Sequence, residues 1–382
     1  MPLATQPGSK STGTDVIVVG AGPSGLATAI QLARSGMSVC VFERQPGIPD
    51  RPCGDAHTGA SRRALSALGV LDGLMAAGSM SPGYSVCLDG AHPVEFHPGL
   101  EGNCLLVPRP ILSRALVDAA VSAGVEIHSG RGVTGLVRGP GGEVSGVRVR
   151  IGGGELVRSA RLTVLAVGAG LCTSAWLGAA TVRLGWAARC ILDGPHDVRL
   201  LEFHLHPDFL PGYLWVFPLA PGRVNIGVGF PNGTGGPRLL RRAMDDWLAP
   251  YVRRRFPGVR AALRSGAIGI EPPPCQWPPG ILLVGDAAGV ADPFTGEGIS
   301  MALETGMLVA QRVAQHGLSK GALTAMSESI PSLMRERYRQ RRRVAASFSR
   351  LASIPGLVRF SLCAARLSPA GLHVINRLMT QR

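Results

Sequence analysis

The chain has 382 residues, 46% of them hydrophobic, with 52 glycines, 30 prolines and a formal net charge of +14. That length allows two or three lobes, and the lack of any run of about 20 uncharged apolar residues excludes an ordinary spanning helix. Eight scattered cysteines without a Cys-x-x-Cys pair argue against a zinc module or disulfide scaffold and for a reducing cytoplasm.

Residues 1–14, rich in Ser, Thr, Pro and Gly, read as a loose tail without the apolar centre of a signal peptide. An apolar strand, Asp15 to Val19, then enters Gly20-Ala-Gly22-Pro-Ser-Gly25, and a helix is expected from Ser24 to Ser35. The first glycine permits a tight turn, the second lets backbone approach a pyrophosphate, and the third allows close packing of helix on strand. The helix start turns its free amides and its dipole towards the phosphates. A second strand, Ser38 to Phe42, ends at Glu43, an acid suited to ribose hydroxyls, with Arg44 beside it as a further cofactor contact. This half of the pattern predicts a dinucleotide and does not separate FAD from NAD(P). A ligand-free turn is the bland alternative.

Next comes Arg51-Pro-Cys53-Gly54-Asp55. Cys53 is either an active-site thiol or a packed cysteine, and nearby His57 either a proton donor or a satisfied residue. A helix from Arg109 to Ala123, a Gly-rich β excursion from Gly132 to Leu156 and a strand from Leu162 to Ala166 follow. His204 and His206 alternate on one strand face as a metal pair would, but without a third ligand in view no metal is expected. Tyr213, Trp215 and Phe217 also alternate, which puts all three rings on one face, as core filling or as a substrate wall. The turn Ala220-Pro-Gly-Arg223 returns the chain along Val224 to Phe230.

A last apolar strand, Gly280 to Gly285, delivers Asp286, followed by Asp292-Pro-Phe-Thr-Gly296-Glu297-Gly298 before a helix. Asp286 is placed to receive hydroxyls of a ribityl chain. The helix start behind Gly296 and Gly298 would stabilise the negative charge of a reduced flavin near N1 and O2. This second element selects FAD. Residues 331–382 hold eleven arginines, no lysine and one acid, Glu336, so most of the net charge sits there. Val344, Phe348, Leu351, Ile354, Val358 and Leu362 recur among them at helical spacing, and Pro355-Gly356 and Pro369 should divide the region into short helices. That mixture suits packing on the protein or lying against lipid headgroups, and no nucleic-acid partner is expected.

With both glycine motifs in place, the chain resembles glutathione-reductase-like flavoproteins of the para-hydroxybenzoate hydroxylase type. Arg109, within Val107-Pro-Arg-Pro-Ile-Leu-Ser-Arg-Ala-Leu116, falls where that superfamily has an arginine beside the flavin. Two departures stand out: Ser113 replaces the usual acid, and Val167 replaces the acid of an Ala-Asp-Gly-Ala signature, which weakens the case for NADPH-dependent hydroxylation. Tyr213-x-Trp215-x-Phe217-Pro218, with Cys53-Gly54, is similar to the geranylgeranyl reductase family, over about Thr14 to Arg343.

The resemblance implies an α/β fold in which a Rossmann-type FAD-binding domain (15–82, 101–182 and 276–343) is interrupted by a mostly antiparallel substrate sheet (83–100 and 183–275). A basic helical region, 344–382, follows. It implies reduction of carbon–carbon double bonds in a prenyl or other hydrophobic substrate, with hydride from flavin N5 and electrons from NADPH or another donor. Cys53, Tyr213 and Trp215 would form the catalytic site, and the basic helices would touch a membrane. Rival readings are a flavin-dependent monooxygenase or halogenase, and a non-catalytic flavoprotein that binds lipid or a partner. The last would hold flavin without substrate-dependent reoxidation. No signal of oligomeric state is present.

Overall fold

The computed structural model describes residues 13–367 except 49, 100–101, 170–171, 179–182, 221, 232, 234, 260–261 and 272–275. Five strands make a parallel sheet in the spatial order Ile281–Leu283, Leu162–Leu165, Val16–Val19, Val39–Glu43 and Glu126–Ser129. The inner strands are buried at every residue, because layers cover both faces; that is why they read as unbroken apolar runs. Helix Pro23–Arg34 lies close against helix Ile299–His316. A Cβ on Gly306 would stand 2.4 Å from Ser24 O, so this approach requires glycine. Thr28 Oγ1 donates to Gly306 O at 3.2 Å across the same contact.

A second sheet has seven strands in the order Arg264–Gly269, Leu184–Asp193, Arg223–Phe230, Tyr213–Ala220, Leu201–Leu205, Tyr84–Leu88 and Val94–Phe96. All its pairings are antiparallel except Leu201–Leu205 with Tyr84–Leu88. Period two divides the aromatic strand between two cores. Leu214 and Val216 join Ile226, Val228 and Phe230 on one face, whereas Trp215 and Phe217 join Tyr84 and Phe96 on the other. Residues 236–255, inside a stretch expected to be rich in strands, are helical: Gly236–Ala243, a π turn Met244–Leu248, and Ala249–Arg255. Leu240, Leu248 and Val252 lie at helical spacing and cap the first of those faces. The class expected from sequence, α/β with a parallel nucleotide-type sheet, an antiparallel sheet and C-terminal helices, is the class observed.

Two small sheets complete the body: the meander Val133–Arg138, Val144–Ile151, Gly154–Ser159, and the trio Ala56–His57, Cys104–Leu106, Ser79–Ser81. The break expected at Pro355-Gly356 is observed between two helices, but the first of them is long rather than short. One 33-residue helix, Lys320–Ala352, runs through Pro331 and across the anticipated boundary at 343, and Pro355–Leu367 follows it. Arg, Leu, Ala and Met are strong helix formers, and Tyr338, Ala345 and Ser349 give the long helix a buried stripe. The tail over 1–12, Cys275 and the break at Pro369 lie outside the described residues.

Candidate active site

The glycine turn after Val16–Val19 is built as its spacing predicts. Gly20 has φ +108°, and a Cβ there would strike Ala166 O at 2.4 Å. On Gly25 it would strike Gly20 O at 2.1 Å, which is the close packing of helix on strand. A Cβ on Gly22 would meet nothing within 4 Å, and Gly22, Pro23 and Ser24 border an open cavity. Unpaired amides of the first helical turn are therefore free to meet an anion there. Glu43 braces the turn: Oε2 accepts from Ala21 N and Oε1 from Gln45 N, both at 2.9 Å. Arg44 is exposed and lines the same cavity.

From the other side comes Asp286, in a 3-10 turn after strand Ile281–Leu283. Its carboxyl, also lining the cavity, is pushed up to about 6, chiefly by burial, against the pull of the Gly269 backbone, Arg109 and Arg51. Asp286 Oδ1 lies 3.6 Å from where a Cβ on Gly298 would sit, so acid and helix start are adjacent. The intervening loop is tied at several points. Asp292 Oδ1 accepts from Phe294 N and Thr295 N at 2.9 and 2.8 Å. Glu297 Oε1 accepts from Thr58 Oγ1 at 2.6 Å, and Glu297 Oε2 meets Arg341 of the long helix at 3.4 Å. Tyr213 OH donates to Thr295 O at 2.5 Å, joining the aromatic strand to this loop. These features fit FAD: an anion-ready helix start, a buried acid for hydroxyls, and a second helix start at the far end.

Tyr213, Trp215 and Phe217 share one wall, with neighbouring ring centroids 6.1 and 6.4 Å apart. Space for Trp215 is made by Gly227, where a Cβ would lie 2.2 Å from Cζ2. Trp215 Nε1 donates to Asn225 Oδ1 at 2.9 Å; Asn225 Nδ2 donates to Cys53 O at 2.7 Å and Asp55 Oδ2 at 2.9 Å. Asp55 Oδ1 accepts from Arg109 N at 3.0 Å, and Arg109 Nε donates to Ser113 Oγ at 3.2 Å. Ser113, which stands where the resembling superfamily has an acid, is thus the guanidinium's neighbour. Burial first, then the Asp55 charge, pushes the Cys53 thiol up to about 11. Burial likewise lifts Asp55 to about 6 against the pull of Arg189, Asn225 and Arg109. Asn225 and Asp55 were missed in the sequence. The available signal was a polar residue inside the apolar alternation Val224-Asn-Ile-Gly-Val-Gly-Phe230.

One cavity of about 970 Å³ brings together every anticipated site residue except Gly25, whose part is packing. It lies at the upper end of ordinary ligand cavities, roughly 300–1,000 Å³. Other candidates fall away from it. His57 is buried outside the cavity lining, neutral because burial lowers it to about 4, with Nδ1 3.4 Å from Ser61 Oγ. His204 does have an acid at hand: Glu202, 2.9 Å from Nε2, but Arg255 pairs with that carboxylate. Cys40, Glu126 and His128 offer ligand atoms within 4.8 Å of one another, away from the cavity lining. There the thiol is raised to about 12 by burial, and His128 already holds Glu126 at 2.9 Å.

Residues 103–325 match the family described as FAD dependent oxidoreductase, and residues 13–178 match an FAD binding domain. The digeranylgeranylglycerophospholipid reductase of Methanospirillum hungatei is 31% identical over 80% of this chain and 77% of its own. The chain belongs to the geranylgeranyl reductase family of FAD-dependent oxidoreductases. Another relative is the menaquinone reductase of Mycolicibacterium smegmatis, 29% identical over 97% of this chain and 93% of its own. The fold of the family is seen in a geranylgeranyl bacteriochlorophyll reductase-like protein of Thermoplasma acidophilum, with TM-score 0.80, 21% identity and 95% of both chains covered. A flavin-dependent brominase shares it at TM-score 0.75 and 19% identity, over 97% of this chain and 94% of that one.

Proposed function

We propose that this protein saturates carbon–carbon double bonds in a prenyl or similar hydrocarbon chain held in the aromatic half of the cavity. The observation that carries the reading is a single cavity joining a flavin-type nucleotide cradle to the Tyr213–Trp215–Phe217 wall and the Cys53 thiol. Reductases named for prenylated lipids and for menaquinone among the relatives support it. When bound and reduced, FAD would supply a hydride from N5, and NADPH or another reductant would restore it.

An unactivated alkene is a poor hydride acceptor, so positioning and proton delivery carry most of the catalytic load. The aromatic wall orients the hydrocarbon and keeps water from it. Cys53, a thiol at neutral pH, holds a proton at Sγ at the cavity edge, for the alkene carbon that does not receive hydride. Asn225 fixes the Cys53 carbonyl and the Trp215 indole in one hydrogen-bonded unit. Arg109 and Asp286 serve the cofactor side, together with Gly20, Gly22, Glu43, Arg44, Gly296 and Gly298.

The brominase-like fold favours one alternative, an oxygen-dependent monooxygenase or halogenase. Dithionite-reduced enzyme, incubated without oxygen with geranylgeranyl substrates, should yield products heavier by one hydrogen pair per double bond. Product formation only when oxygen is admitted would overturn the reductase reading.

A further inference from the structure

The mouth of the cavity is framed by the two C-terminal helices. Leu351, Leu357 and Phe360 border it, yet they remain 51%, 41% and 71% exposed. Of twelve large apolar side chains exposed among the described residues, five (Val344, Leu351, Ile354, Leu357 and Phe360) lie in this short stretch. Such crowding is a patch rather than background scatter.

The other side of the long helix explains why Val344 and Leu351 face outwards. Arg341 pairs with Asp292 and Glu297, Arg342 Nη2 donates to Gly289 O at 2.5 Å, Ser349 Oγ donates to Pro293 O at 3.5 Å, and Ala345 and Ser349 are buried. With that face fixed, the helical period turns Arg343, Val344, Arg350 and Leu351 to solvent. Arg359 is exposed on the terminal helix as well, and no acid follows Glu336 as far as Leu367. Exposed apolar residues interleaved with unopposed arginines complement an anionic lipid surface. No described helix is long and apolar enough to cross a membrane, so the segment would lie in the interface plane.

We infer that residues 343–360 form a docking rim that seats the cavity mouth on an anionic lipid leaflet, so that a hydrocarbon chain passes from bilayer to cavity without crossing water. The transfer step rests on the prenyl-reductase reading; the docking itself does not.

Flavin-loaded full-length protein would be sedimented with vesicles of phosphatidylcholine alone and of phosphatidylcholine with phosphatidylglycerol. Binding is expected to the anionic vesicles, released by salt, and weak to the neutral ones. Arg343→Glu, Arg350→Glu and Arg359→Glu should each weaken it by at least roughly fivefold. Val344→Asp and Ile354→Asp, neither of which lines the cavity, should weaken it too while leaving flavin content and turnover of a short, water-soluble prenyl alcohol unchanged. Equal binding to both vesicle types, binding that survives all five substitutions, or patch variants that dissociate a dimer without changing vesicle binding would overturn the proposal. Vesicle binding as expected, with no turnover of any prenyl substrate, would remove the reductase reading and leave docking in place.

Discussion

Cys53 meets the cavity as a protonated thiol, and its backbone carbonyl is held by Asn225. Cys53→Ala should therefore lower alkene turnover by about a hundredfold, within the usual range for a lost proton donor, while flavin binding is kept. Steady-state rates beside flavin absorbance check this; an unchanged rate would remove Cys53 from the chemistry. Asp55 makes a separate prediction about pH. Burial lifts its carboxyl from the ordinary 3.8 to about 6, so the folded protein binds that proton more tightly than the unfolded chain does. Its stabilising contribution is full below about 4 and is lost as pH rises through about 6. Denaturant titrations should show the wild type losing stability relative to Asp55→Asn across that window. Parallel curves would contradict the assignment.

At the scale of elements, the aromatic strand and its return strand depend on a missing side chain. Gly227→Ala would put a Cβ 2.2 Å from Trp215 Cζ2 and 2.4 Å from Ala188 O, so the indole must swing or the strands must part. Overpacking of this kind costs about 1–3 kcal/mol. The loss should appear in the denaturation midpoint together with an altered near-ultraviolet signal from Trp215; no change in either would refute the close packing. The alternation of rings was legible because a strand's period is fixed by its own backbone. The helices over 236–255 and the uninterrupted Lys320–Ala352 helix were not. Their course is set by the faces they cover: the outer face of the second sheet in one case, the loop carrying Asp292 and Glu297 in the other.

For the molecule as a whole, both glycine elements line one cavity. FAD at about a hundredfold over its dissociation constant should stabilise the apoprotein by about 2.7 kcal/mol, seen as a raised Tm. An unmoved transition would sink the cofactor assignment and everything built on it. The sequence by itself determined the glycine turn at Gly20–Gly25, the acid at Glu43, the Gly285-Asp286 strand end and the one-sided rings at 213, 215 and 217. Each is a short-range pattern dictated by local chain geometry. Only the tertiary structure decided that Cys53, Asp55, Trp215 and Asn225 form one hydrogen-bonded unit, since Cys53 and Asn225 stand 172 residues apart. It also decided that Val344, Leu351, Ile354, Leu357 and Phe360 face outwards while Phe348, Val358 and Leu362 turn towards the cavity. Both outcomes follow from packing one layer on another, where each group's partner is chosen by the fold and not by its neighbours along the chain.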